Sequence, residues 1–207
     1  MIETEEQARA YVEGWADQAA MDRLETFATL LLAENQKQNL ISKPSQAQIW
    51  QRHIADSAQL LEHVPRGTPA NTSGPWLDLG TGAGFPGIVI AILRPDIPTV
   101  LLESRARRVE FLQHSVDQLG LNNCRVIGER LEKVKPFESW VISARAFAPL
   151  EKLLRLSAPF STKETRYVLP KGRSAKHEWK QLKPSIRTMF HVEQSLTDDE
   201  AGIIVRA

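Results

Sequence analysis

Trp76-Leu77-Asp78-Leu79-Gly80-Thr81-Gly82-Ala83-Gly84-Phe85-Pro86-Gly87 is the stretch on which the reading of the whole chain turns. Trp76 to Leu79 has the length and apolar content of a buried strand, the glycines that follow force a tight loop, and Phe85-Pro86-Gly87 leads into an apolar helical stretch. Glycine has no Cβ, so a loop built from it lets the backbone come close to a ligand at the end of the strand. The segment therefore predicts a strand, a ligand-binding loop and a helix.

Two ligand classes fit that loop. Gly82 to Gly87 satisfies the bare G-x-G-x-x-G pattern of dinucleotide sites, which keeps a nicotinamide or flavin cofactor open. Asp78, just before the turn, is an awkward neighbour for a pyrophosphate and a better one for the ammonium of an amino-acid-like cofactor, which favours S-adenosylmethionine. Glu103 ends the next predicted strand, Thr99-Val100-Leu101-Leu102-Glu103, where a carboxylate can accept both hydroxyl hydrogens of a ribose in either ligand. The structural alternatives are loop capping for Asp78 and pairing with Arg105 or Arg107 for Glu103. No G-x-x-x-x-G-K-[ST] loop and no metal-ligand cluster accompanies the glycines, so no metal is expected.

Working outward, Leu24, Phe27, Ala28 and Leu31 share one helical face, and Trp50, His53, Ile54, Ser57 and Leu61 mark a second helical segment beginning after a boundary near Pro44 and Ser45. A turn-rich linker runs from Val64 to Pro75. Beyond it, Val109, Leu112, Val116 and Leu119 line a helix, and strands are expected near Val126 and Ile127, at Trp140 to Ser143, at Arg166 to Leu169, over Ile186 to Val192 and at Ile203 to Val205. Strands alternating with helices predict an α/β fold with a mostly parallel sheet covered by helices. The division expected is a helical extension with linker over residues 1–70, packed on a core domain over residues 71–207.

Composition sets the class. With 207 residues, 42% hydrophobic and 25% charged, the chain carries the material of an ordinary folded domain. No apolar run reaches the roughly 18 to 20 residues that cross a membrane, and the acidic opening lacks the basic region of a signal peptide, so a cytoplasmic protein is expected. Cys124 is the only cysteine, which excludes an intrachain disulfide and predicts a buried structural thiol. The net charge of +1 conceals polarity: residues 1–34 hold eight acidic against two basic side chains, and residues 161–190 hold eight basic against two acidic. That basic end can attract an anion.

Several further segments, Asn39-Leu40-Ile41-Ser42, Arg52-His53-Ile54-Ala55-Asp56-Ser57 and Ser143-Ala144-Arg145-Ala146-Phe147, occur with the glycine loop in the order found in the RsmG (GidB) family. Glu103-Ser104-Arg105-Ala106-Arg107-Arg108, Phe111-Leu112 and Lys171-Gly172 extend the likeness, which covers roughly residues 24 to 205. The resemblance implies a Rossmann-like class I methyltransferase with a seven-stranded sheet. It further implies methyl transfer from S-adenosylmethionine to N7 of guanine 527, in standard bacterial numbering, of 16S ribosomal RNA, with S-adenosylhomocysteine as product. A monomer acting in a small-subunit context is the expected form. By the same resemblance Gly80, Gly82, Gly84 and Phe85 shape the cofactor pocket, Asp78 lies by the methionine portion and Glu103 holds the ribose. Arg130 and Leu131 belong to the adenine pocket. Glu129 and Leu131 depart there from the small residues usual in the family, and Arg107 replaces a usual lysine.

Guanine N7 carries a free lone pair, so the chemistry needs alignment and no base. The resemblance places Arg145 at the reaction centre, where its planar fork can hold a phosphate or the guanine, and places Asn39 and His53 at the mouth of the site. Lys171 and Arg173 are expected to contact the RNA backbone, with Lys176, Lys180 and Lys183 widening the basic surface. A satisfied helical histidine is the alternative for His53, and packing the alternative to base stacking for Phe85 and Phe147. Two rival functions retain the same loop: a small-molecule methyltransferase and a noncatalytic nucleotide-binding regulator.

Overall fold

The computed structural model describes residues 1–67 and 74–206. Seven strands, β1 (Trp76–Leu79), β2 (Thr99–Leu102), β3 (Cys124–Ile127), β4 (Val141–Ser143), β5 (Arg166–Gly172), β6 (His191–Gln194) and β7 (Gly202–Arg206), form one sheet in the order β3-β2-β1-β4-β5-β7-β6. The first five are parallel, while β7 pairs antiparallel with β5 and β6 antiparallel with β7. Strand order reverses between β1 and β4, which opens a crevice at their carboxyl ends, the place where open α/β sheets bind ligands.

Helices α1 (Glu5–Glu13), α2 (Gln18–Asn35), α3 (Lys43–Gln46) and α4 (Asp56–Ala58) precede the sheet, and α5 (Gly87–Leu93), α6 (Ala106–Gln118), α7 (Leu150–Ser157), α8 (Ala175–Gln181) and α9 (Pro184–Arg187) lie within it or after it. Successive strand residues point to opposite faces. Trp76, Leu101, Val141, Val168 and Ile203 join one apolar cluster with the amino-terminal helices, α5 and α6, whereas Leu77, Val100, Ile142, Leu169 and Ile204 join another with α7 and α8.

Asp17 caps α2 by accepting from the Ala20 amide at 2.8 Å, and the predicted face of Leu24, Phe27, Ala28 and Leu31 is buried. Phe27 packs on Phe85 with ring centroids 5.3 Å apart. The helical extension therefore shares the core of the sheet. The expected linker residues 68–73, and the expected division at residue 70, fall outside the described residues.

Trp50–Ala55 is π-helical, passes into α4 and then tightens to a 3₁₀ turn over Gln59–His63. The Glu5 carboxylate satisfies the free amides at its start, accepting from Trp50 at 3.0 Å and Gln51 at 2.8 Å. One expected strand is corrected. Pro184, favoured in the first helical turn, starts α9, which runs to Arg187 and so takes the first residues of the Ile186 to Val192 stretch read as extended, and β6 begins only at His191. Cys124 is buried in β3, and burial pushes its thiol up to about 12.

Candidate active site

Two cavities flank the loop after β4. One, of about 360 Å³, is lined by Gly80, Glu103, Arg108, the Glu129 to Glu132 segment, Ala146 and Phe147. The other, of about 510 Å³, is lined by His53, Asp56, Arg145, Lys171 and residues of the β6–β7 connection. Consecutive residues thus face opposite cavities: Arg145 one, Ala146 and Phe147 the other.

In the first cavity, Gly80 has φ +64°, and a Cβ there would meet the Phe147 ring at 2.8 Å, so glycine is required both by conformation and by space. Glu103 is nearly buried at the end of β2. Its Oε1 accepts from the amides of Ser104 at 2.7 Å and Arg105 at 2.9 Å, which aims Oε2 into the cavity with Arg108 Nη1 at 3.7 Å. A fixed, ionised acceptor beside a bare glycine backbone suits the hydroxyls of a ribose, so these residues fit S-adenosylmethionine. Arg130 and Leu131 line the same cavity. Arg108 was not singled out from sequence; its place in the first turn of α6, the helix that follows Glu103, was the available signal.

Other loop residues do different work. Asp78 is fully buried and lines neither cavity. Its Oδ1 accepts from Ser143 Oγ at 2.8 Å, itself held by Trp76 Nε1, and its Oδ2 accepts from the Gly87 amide at 3.0 Å. This is the loop-capping alternative, and it draws β1, β4 and α5 together. Burial pushes the Asp78 carboxyl up to about 6, against the hydrogen bonds from Ser143 and Gly87. A Cβ on Gly82 would come 3.5 Å from Arg108 Nη1, whereas one on Gly84 would meet Ile88 and Phe27, so that glycine serves packing of the extension. Phe85 is buried beneath the second cavity.

That second cavity is built on Phe85. His53 stacks on its ring, with centroids 4.9 Å apart and planes at 19°, and the Arg145 guanidinium lies 5.1 Å from the same ring centre. Arg145 Nη1 donates to His53 Nδ1 at 2.9 Å and stands 3.9 Å from Asp56 Oδ2. Since arginine only donates, Nδ1 is the acceptor and the proton of the neutral ring sits on Nε2, a buried atom with no hydrogen-bond partner among the described residues. Burial, reinforced by Arg145 and Arg52, pushes His53 down to about 3. Burial likewise raises Asp56, with Arg145 and Thr197 opposing.

Asn39 is exposed and lines an adjoining hollow with Leu40, Ile41 and Ser42, the latter three of which also reach the second cavity. The turn carrying it is folded by buried Asn35, whose Oδ1 accepts from the amides of Leu40 and Ile41 at 2.7 and 2.9 Å. Lys171 departs from the expected exposed contact. Only 6% of its side chain is exposed, its ammonium pairs with Glu178 at 3.1 Å and it donates to the Ala148 carbonyl. Glu178 also accepts from the Leu150 amide at 2.7 Å, so the pair ties β5, α7 and α8 together. Arg173 remains 75% exposed beside Glu200.

A mostly parallel sheet with an antiparallel β6–β7 end, a glycine loop after β1 and a carboxylate closing β2 define a Rossmann-like, S-adenosylmethionine-dependent methyltransferase. Solved structures share the fold: a precorrin-6y C5,15-methyltransferase from Geobacter metallireducens matches with TM-score 0.54 and 14% identity over 81% of this chain and 89% of that one. A ribosomal protein L11 methylase from Lactobacillus delbrueckii matches with TM-score 0.54 and 12% identity over 74% and 77%.

The chain belongs to the GidB family, rRNA small subunit methyltransferase G, whose model matches residues 20–202. Relatives bearing the name ribosomal RNA small subunit methyltransferase G include one from Erythrobacter litoralis, 57% identical over 99% of this chain and 97% of its own length. Another, from Novosphingobium aromaticivorans, is 53% identical over 98% and 87%. No helix of the described residues is long and apolar enough to cross a membrane, and none of their acidic, histidine and cysteine side chains group as a metal site.

Proposed function

We propose that this protein methylates N7 of guanine 527 in 16S ribosomal RNA, in a small-subunit context. The observation that carries the reading is the placement of Arg145 and Ala146-Phe147 on opposite sides of one loop, so that a donor seated over Gly80 and Glu103 and an acceptor seated over His53 and Arg145 meet across it. Glu103 and the Gly80 backbone would hold S-adenosylmethionine, which would supply an electrophilic methyl group.

The protein's own part is alignment. Guanine N7 attacks through its lone pair without losing a proton, and the acceptor cavity matches that requirement. His53 has its Nδ1 lone pair engaged by Arg145 and is unsuited to take a proton. Arg145, 5.1 Å over the centre of the Phe85 ring and steered by His53, presents the rest of its fork to the acceptor. Arg173 and neighbouring lysines offer the exposed positive charge that RNA phosphates need.

Incubation of the full-length enzyme with small subunits, or their free RNA, and methyl-labelled S-adenosylmethionine tests this directly. Label recovered as N7-methylguanine at position 527 is expected; reproducible label on another atom, another base or only on free nucleosides overturns the reading.

A further inference from the structure

We infer that Asp56 is a specificity-determining residue that reads the Watson–Crick edge of the acceptor guanine, with Oδ2 accepting from N1–H while Arg145 donates to O6. The inference rests on the guanine-N7 reading and names how that base is told from adenine.

Asp56 begins α4 and faces the second cavity. Its two oxygens are unequal. Oδ1 accepts from Gln59 Nε2 and from Thr197 Oγ1, each at 2.8 Å. Both donors are buried and are themselves fixed: Gln59 Oε1 accepts from the Leu196 amide at 2.7 Å, which turns its amino group toward Asp56, and Thr197 Oγ1 lies 3.1 Å from Ser195 Oγ. Oδ2 takes no hydrogen bond among the described residues. One carboxylate oxygen is therefore locked by the protein and the other is presented to the cavity.

Arg145 is the nearest cation, yet at 3.9 Å it does not close a hydrogen-bonded pair with Oδ2. Its nearer Nη1 partner is the uncharged ring of His53 at 2.9 Å. A guanidinium and a carboxylate thus stand side by side on one wall, about a quarter exposed each, with donor and acceptor capacity left over.

The base that completes this pair must offer an acceptor beside a donor. Guanine offers O6 beside N1–H along its Watson–Crick edge, and O6 also borders N7, so an Arg145 donor on O6 sets N7 next to Arg145, beside the shared loop. Adenine offers the reverse order, an amino group against Arg145 and a lone pair against Oδ2, and would set a donor against a donor and an acceptor against an acceptor. A site built on hydrogen bonds rejects the mismatched analogue more strongly than an apolar pocket does.

The test compares the full chain and Asp56→Asn on small subunits and free RNA carrying guanine or adenine at position 527. In the variant, Gln59 and Thr197 keep the side-chain oxygen at Oδ1, so an amino group replaces the free acceptor. Guanine kcat/KM is expected to fall by about tenfold to a hundredfold, and the guanine-to-adenine ratio to narrow by at least that factor. The calorimetric Kd for S-adenosylmethionine should be unchanged. A variant that keeps the parent's ratio overturns the role of Asp56 while leaving N7 methylation standing. Parent label away from guanine N7 overturns both. Should Asp56→Asn fail to fold, Thr197→Val decides: loss of one anchor should narrow the ratio severalfold, and an unchanged ratio rejects the inference.

Discussion

Arg145 donates from Nη1 to Nδ1 of His53 at 2.9 Å, joining the end of β4 to the π-helical turn of the amino-terminal extension. The bond requires an unprotonated histidine. His53→Asn keeps an acceptor near Nδ1 and should retain more single-turnover activity than His53→Leu, which strands the guanidinium; equal rates would reject steering by His53. A pH effect accompanies it. With the folded value near 3 and the ordinary value 6.5, the unfolded chain binds a proton that the native one refuses, so stability present above about pH 6.5 is lost as pH falls toward 3. Melting curves over that window should fall less steeply for His53→Leu than for the parent.

Glu103→Gln should weaken S-adenosylmethionine binding by about tenfold to a hundredfold, because a hydrogen bond to a charged acceptor contributes about 1.5–3 kcal/mol. The glutamine oxygen can keep the Ser104 and Arg105 amides, which confines the change to the group at Oε2. Calorimetric titration reads the effect, with an unchanged Tm as the control. Equal dissociation constants would remove Glu103 from the cofactor site.

Lys171 and Arg173 should separate cleanly in salt titrations of RNA binding. Arg173→Gln removes an exposed charge and should reduce the slope of log affinity against log salt by somewhat less than about one. Lys171→Gln should leave that slope unchanged and instead lower Tm, since its ammonium is buried against Glu178 and Ala148. A reduced slope for Lys171→Gln would restore the surface role expected from its sequence neighbourhood.

These contrasts mark what the sequence could carry. The positions of Gly80 and Glu103 were legible because each sits at a strand end, where a short motif dictates position, whereas the Arg130-Leu131 segment, beyond the end of β3, was placed only by the family resemblance. Strands β1 to β5 were legible for the same reason, as compact apolar runs between turns. Asp78 was read as facing a ligand because its two donors, Ser143 Oγ and the Gly87 amide, come from β4 and the start of α5, and the former is 65 residues away. The inward turn of Lys171 was hidden in a basic stretch that looks alike at every lysine. Asp56 stayed unread as a site residue because Thr197, which orients it, lies 141 residues later.

That long reach has a consequence for synthesis. The donor cavity draws its walls from residues between Gly80 and Leu156, whereas the acceptor cavity needs Asp56 braced by Gln59 and Thr197, with the Ile2 amide tied to the Leu196 carbonyl at 2.7 Å. As the chain leaves the ribosome in order, the residues lining the first cavity are all present while the second still waits for the final strand pair. Interrupted or clipped before Ser195, the polypeptide would lack β7, whose Ile203 and Ile204 enter both apolar clusters, and would have neither Thr197 to brace Asp56 nor Leu196 to hold Ile2, so the second cavity closes only when the two ends have met.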